Sequence, residues 1–142
     1  MMDHQEDFRR PDRRIFRRAA TSLLMSYRVN TPLAANAALG GQEVDAVAQD
    51  ISENGLGVFT NHRIPTGARI HMRFKVFNHS AVLEKHRYRA LELDGDVRYA
   101  IMTDRETDYR LGIQFLGATE TDLDFFSDYV QTNQLDSSQE GG

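Results

Sequence analysis

Apolar and polar residues alternate with a period of two in several short stretches of this chain, and follow a helical period only near its end. The clearest strand signal is Ile70, Met72, Phe74 and Val76 interleaved with Arg69, His71, Arg73 and Lys75. Successive side chains of a strand point to opposite faces, so this segment has an apolar face for a core and a basic face for water. Residues 22–29 (SLLMSYRV) and 56–60 (LGVFT) also read as strands, the first with imperfect alternation and ended by Pro32. Val44, Ala46 and Ala48 give a weaker pattern, because alanine is a poor strand former and Val47 falls among the polar positions. Tyr88–Met102 is strand-rich, with an interruption expected at Asp94-Gly95-Asp96, and Tyr109–Leu116 forms a last strand after the polar break TDRETD.

Turn residues punctuate these segments. Asp50-Ile51-Ser52-Glu53-Asn54-Gly55 predicts a hairpin connection, with Asp and Ser bonding nearby amides and Gly55 supplying a positive φ. Ile64-Pro65-Thr66-Gly67 is a second turn, with Gly67 free to take positive φ. Residues 30–42 read as a loop with a short helical turn in its alanines, and residues 78–87 as a polar loop or insertion. At the end, Thr119 or Thr121 can cap a helix whose first turn carries Glu120, Asp122 and Asp124, where carboxylates favour the positive end of the dipole. Leu123, Phe126, Tyr129 and Val130 then make one apolar face. About six short strands and one amphipathic helix predict an all-β fold with a terminal helix, built as a small closed or half-closed β-barrel.

A length of 142 residues allows one domain with a working core. The formal charge of -4 argues against a surface built throughout for duplex nucleic acid. Basic character is instead local: Arg9, Arg10, Arg13, Arg14, Arg17 and Arg18 fall within ten positions. The chain has no cysteine, which removes disulfides, thiol nucleophiles and Cys-ligated zinc. No apolar run approaches the ~18 residues needed to span a bilayer, and the N-terminus has no apolar signal core, so a cytoplasmic protein without membrane insertion is expected. Residues 137–142 read as a polar, disordered tail.

The arginine cluster points to a phosphorylated or nucleotide partner, because the guanidinium stays charged, grips phosphate with two parallel donors and stacks on flat rings. The plainer reading is a solvated basic tail or a nonspecific polyanion contact. Phe16 offers the cluster an anchor on the core. Asp50 is an acceptor suited to the N1 and N2 donors of guanine, and Ser52 can donate or accept. With an arginine fork at O6 and N7, such a carboxylate would read guanine specifically. The five histidines make no HxH or HxxxH pair, so no metal site is expected. There is no GxSxG, Ser52 has no identifiable base, and Gly55-Leu56-Gly57 leads into a strand where a phosphate loop needs a helix. No catalytic residue and no cofactor are assigned.

Together the arginines and the Asp50, Ser52, Gly55 pattern resemble the bacterial PilZ domain family, whose members bind cyclic di-GMP. Family members carry RxxxR in an N-terminal arm and, some thirty residues later, [D/N]xSxxG on the barrel. Arg13-Arg14-Ile15-Phe16-Arg17-Arg18, followed by a strand with Tyr27, aligns Arg14 and Arg18 with RxxxR and puts Arg13 just before it. Arg17 departs from the family, whose sequences are often uncharged there, and the 78–87 segment is longer than a minimal member needs. The resemblance spans residues 12–130 and implies a six-stranded antiparallel β-barrel plus a C-terminal α-helix. It implies a flexible segment at 1–12, the domain with its arginine arm at 13–134 and a disordered tail at 135–142.

It further implies a cyclic di-GMP receptor, not an enzyme, with Arg13, Arg14, Arg18, Asp50, Ser52 and Gly55 as ligand-binding residues. An arm mobile without ligand would become ordered on binding and relay the signal to an unidentified downstream protein, with a motility, exopolysaccharide or virulence output. Arg13 would favour an intercalated dimer of the ligand. Monomer and homodimer both remain open. Two rivals are weighed: a small barrel binding single-stranded nucleic acid, disfavoured by few aromatics and no Trp, and a family member without ligand that acts as a protein adaptor.

Overall fold

In the computed structural model, which describes residues 18–105 and 107–141 with side chains through Asn133, the period-two segments become six strands. They are β1 (Arg18–Thr31), β2 (Val44–Ser52), β3 (Gly55–Thr60), β4 (Arg69–Phe77), β5 (Tyr88–Met102) and β6 (Tyr109–Leu116). The ring runs β1-β2-β3-β6-β5-β4 and closes, with every pairing antiparallel. A closed ring leaves no strand edge to cap. A short helix, α1 (Leu33–Ala38), follows β1, a single 3-10 turn spans Glu84–His86, and a terminal helix, α2, runs Glu120–Gly141. The last covers the segment read as a tail from sequence.

The inward positions fill the barrel. Tyr27, Ile51, Ile70, Met72 and Leu111 are fully buried, and the Tyr27 hydroxyl shares a 2.8 Å hydrogen bond with Thr60 Oγ1 inside the core. Burial raises the Tyr27 phenol above its ordinary 10.0, the bond to Thr60 acting the other way. Helix α2 docks through Phe126, which stacks on Phe115 at 4.7 Å and on Phe74 at 6.4 Å. Thr119 is the cap: its Oγ1 accepts from the Asp122 amide at 3.1 Å while Asp122 Oδ2 accepts from the Thr119 amide. Tyr129 donates to Thr21 Oγ1 at 3.0 Å, tying the helix to β1.

Two elements differ from expectation. β5 passes through Asp94-Gly95-Asp96 without a break. A Cβ on Gly95 would lie 2.5 Å from Ile113 Cγ2 and 2.9 Å from Met72 Cε, so the glycine leaves room for side chains from its neighbouring strands and marks no turn. The apolar face of α2 is also rotated. Phe125 is buried and Leu123 exposed, and Asp122 on the same inner face meets Arg89 at 2.8 Å.

Candidate ligand-binding site

Cross-strand register lines up Asp50, Gly57, Gly112 and Tyr99 in one row across β2, β3, β6 and β5. Residues opposite one another in a sheet project to the same side. Two of the four are glycines, so the wall between Asp50 and Tyr99 is bare backbone. The space is occupied by long side chains lying flat. A Cβ on Gly57 would come within 2.6 Å of Arg110 Nη2 and 2.7 Å of Asp50 Oδ2, and one on Gly112 would run into the Tyr99 ring.

Asp50 is the centre of the cluster. Arg18 Nη1 donates to its Oδ1 at 2.7 Å, and Arg110 Nη2 donates to its Oδ2 at 2.5 Å. The other nitrogen of the Arg110 fork donates to Gln49 Oε1 at 2.7 Å. The hydrogen bond to Asp50 raises the Arg110 guanidinium above its ordinary range, partial burial opposes this, and Asp50 and Tyr99 add charge and bonding that raise it. One carboxylate thus faces two guanidiniums, and the cluster keeps a net positive charge. The Arg18 side chain is 55% exposed and that of Arg110 31%. Beside them opens a cavity of about 310 Å³, walled by Arg18, Asn54, Arg98, Tyr99 and Gln114 over the Gly112 floor.

The β2–β3 hairpin holds Asp50 in place. Ser52 is buried, and its Oγ accepts from the Gly55 amide at 3.0 Å and the Asn54 amide at 3.1 Å while lying 3.3 Å from the Gly55 carbonyl as a donor. Its hydroxyl therefore works within the turn, while the residue itself lines the cavity next to Arg18. The Asn54 carbonyl accepts from the Phe115 amide at 2.7 Å, fastening the turn to β6. Gly55 corrects the expectation of a positive φ: it is not among the glycines with that conformation, whereas Gly67 is, at 90°. What requires glycine at 55 is close approach, since a Cβ would collide with the Ile113 carbonyl oxygen.

Of the residues expected from sequence, Arg18, Asp50, Ser52 and Gly55 come together, with Arg18 opposite Ser52 in the strand register. Arg13 and Arg14 lie outside the described residues, as do Arg9, Arg10 and Arg17. Arg110, Gln49, Arg98 and Tyr99 were not anticipated. Their only trace in the sequence is glycine inside strand patterns, at 57 and 112, a sign of close packing over the backbone. Among the described residues no group of three or more His, Asp or Glu side chains could hold a metal ion, and no helix is long and apolar enough to cross a membrane.

The sequence profile of the PilZ domain matches residues 12–131, and the chain belongs to the PilZ domain family. No curated protein matches it. Among solved structures, the inhibitor of motility MotI/DgrA of Bacillus subtilis is similar at 15% identity and TM-score 0.64, over 87% of this chain and 52% of that one. The PilZ domain of YcgR from Escherichia coli, solved with cyclic di-GMP, is similar at 12% identity and TM-score 0.56, over 91% of this chain and 97% of that one. MrkH of K. pneumonia in its cyclic di-GMP complex is similar at 13% identity and TM-score 0.51, over 88% and 54%. At these identities the likeness is one of fold. The chain spans about half the length of MotI (52%) and MrkH (54%) and nearly all of the YcgR domain (97%).

Proposed function

We propose that this chain is a cytoplasmic cyclic di-GMP receptor, a binding module with no catalytic step of its own. The observation that carries this reading is the fixed acceptor: Asp50 held on the outer wall between Arg18 and Arg110, beside an open cavity. Guanine presents N1–H and N2–H side by side, and a carboxylate with both oxygens oriented meets them in the plane of the base. Arg110, fastened to Gln49 as well, keeps Asp50 in that orientation. Arg18 is the more exposed partner and exchanges Asp50 for a phosphate or for guanine O6 and N7. The Tyr99 ring, flat over Gly112, offers a face on which a base stacks.

Membership of the PilZ family and the cyclic di-GMP complexes of YcgR and MrkH support the reading. In it, Arg14 completes the RxxxR pair with Arg18, and Arg13 stacks on a guanine and admits an intercalated ligand dimer. Ser52 and Gly55 contribute by shaping the hairpin. The segment carrying Arg13 and Arg14 closes over the ligand, and the altered surface is read by a downstream protein. Calorimetric titration tests this with cyclic di-GMP, cyclic di-AMP and a single-stranded oligonucleotide. Saturable binding of the first, with weaker binding of the second, is expected. Salt-dependent binding of the oligonucleotide alone would replace the reading by nucleic-acid recognition.

A further inference from the structure

The cavity beside Asp50 carries charge of one sign. Its charged lining side chains among the described residues are Arg18 on β1 and Arg98 on β5, with no carboxylate. Arg98 reaches the cavity through a β-bulge. β5 pairs with β6 at Val97 and Ile113 and next at Tyr99 and Gly112, which leaves Arg98 as an extra residue with no opposite. Val97 and Ala100 on either side pack on the core, so Arg98 and Tyr99, though adjacent, both lie on the outer side of the wall. Regular alternation would send one of them inward. A bulge inserts a residue and re-aims a side chain, and here it brings a cation and a flat ring to one cavity.

We propose that Arg98 is a second phosphate-binding residue of this cavity, held by Asp96 until the ligand arrives; the inference rests on the cyclic di-GMP reading above. Register puts the two arginines at opposite ends of the site: Arg18 faces Ser52, and beyond the hairpin Gly55 faces Gln114, which faces Asp96. Both are arranged alike. Arg98 Nη1 donates to Asp96 Oδ2 at 3.2 Å, with side chains 61% and 25% exposed, as Arg18 Nη1 donates to Asp50 at 2.7 Å, with 55% and 16%. In each pair the guanidinium is the more exposed member, and an ion pair so exposed is exchanged at little cost. A cyclic dinucleotide carries two phosphodiester anions in one ring. One guanidinium meets half of that charge, and a second at the far end of the cavity meets the other half.

Calorimetric titration with cyclic di-GMP of the wild type, Arg98→Ala, Asp96→Asn and the double variant tests the proposal. Arg98→Ala is expected to weaken binding about tenfold, the loss of one charge-assisted hydrogen bond. Asp96→Asn releases Arg98 and is expected to tighten binding about twofold to fivefold, the worth of an exposed ion pair. A merely structural pair would lose affinity in both variants. In the Arg98→Ala background the Asp96→Asn gain should vanish. A folded wild type that does not bind refutes the receptor reading and this inference with it. A wild type that binds, with Arg98→Ala within about twofold of it, overturns the inference alone, as does an Asp96→Asn gain equally large without Arg98. Circular dichroism checks folding, and if Arg98→Ala does not fold, Arg98→Gln takes its place in the cycle.

Discussion

Replacing Arg110 by methionine removes a guanidinium that no sequence motif marks, while keeping most of the side chain's packing length. The fork makes two hydrogen bonds, to Asp50 at 2.5 Å and to Gln49 at 2.7 Å. Its side chain is 31% exposed and that of Asp50 16%, so the pair lies between a surface ion pair, worth about 0.2–1 kcal/mol, and a buried one, whose breakage costs about 3–5 kcal/mol. Because Arg18 remains to neutralise Asp50, the loss of stability should be modest, about 1–2 kcal/mol in urea unfolding. Ligand binding should suffer more. A carboxylate freed on one side no longer presents both oxygens to guanine, which forfeits one charge-assisted hydrogen bond of about 1.5–3 kcal/mol and lowers affinity about tenfold to a hundredfold.

Arg110→Lys keeps the charge but cannot span both acceptors, and should recover only part of the affinity. A double-mutant cycle isolates the route of the effect. If Arg110 acts through Asp50, Arg110→Met in an Asp50→Asn background should cost less than about threefold by calorimetry. Full additivity of the two substitutions, or an affinity for Arg110→Met within about twofold of wild type, would refute the assignment.

Arg18→Ala and Arg14→Ala should each weaken cyclic di-GMP binding about tenfold to a hundredfold by calorimetry. Both should leave the thermal transition nearly unchanged, so unaltered affinity in the two variants would sink the RxxxR pairing. Asp50→Ala should lower the preference for cyclic di-GMP over cyclic di-AMP more than it lowers phosphate attraction, read by competition; an unchanged preference would contradict guanine reading at this residue. Tyr27 adds a pH dependence. Burial raises its folded value above the ordinary 10.0, so its contribution is intact below pH 10.0 and lost as pH rises through the folded value. Tyr27→Phe should cost about 1 kcal/mol at neutral pH through the lost bond to Thr60 and should lack this alkaline loss in urea melts, whereas an identical slope in both proteins would argue against it.

The strand pattern and half of the cluster were legible because they rest on local order. Ile70 to Val76 alternate cleanly because one face of β4 is buried and the other wet, and β4 forms where expected. Asp50, Ser52 and Gly55 sit within six residues, so a turn and an acceptor could be read together, although the need for glycine at 55 comes from Ile113 on a distant strand and not from local φ. The same non-locality hid Arg110. It follows Asp50 by 60 positions and meets it only because β2, β3 and β6 are neighbours in the ring. Gly95 misled for a related reason: beside two aspartates it looks like a turn, but its lack of a side chain serves packing against Met72 and Ile113. Phe125 lies with Phe126, Tyr129 and Val130 on the inner face of α2, the face that also carries Asp122 and its pair with Arg89, while Leu123 falls outside it; the polar Asp122 at the start of that stripe disguised it in the sequence.

In the proposed function, a fixed Asp50 with Arg18 as its exchangeable partner recognises cyclic di-GMP. The most direct measurement is calorimetric titration of the wild-type chain with cyclic di-GMP, run beside Arg18→Ala. Saturable binding by the wild type is expected, with one ligand per chain or two if an intercalated pair enters, and a large loss of affinity in the variant. A flat titration of the folded wild-type protein, or equal affinities in the two, would contradict it.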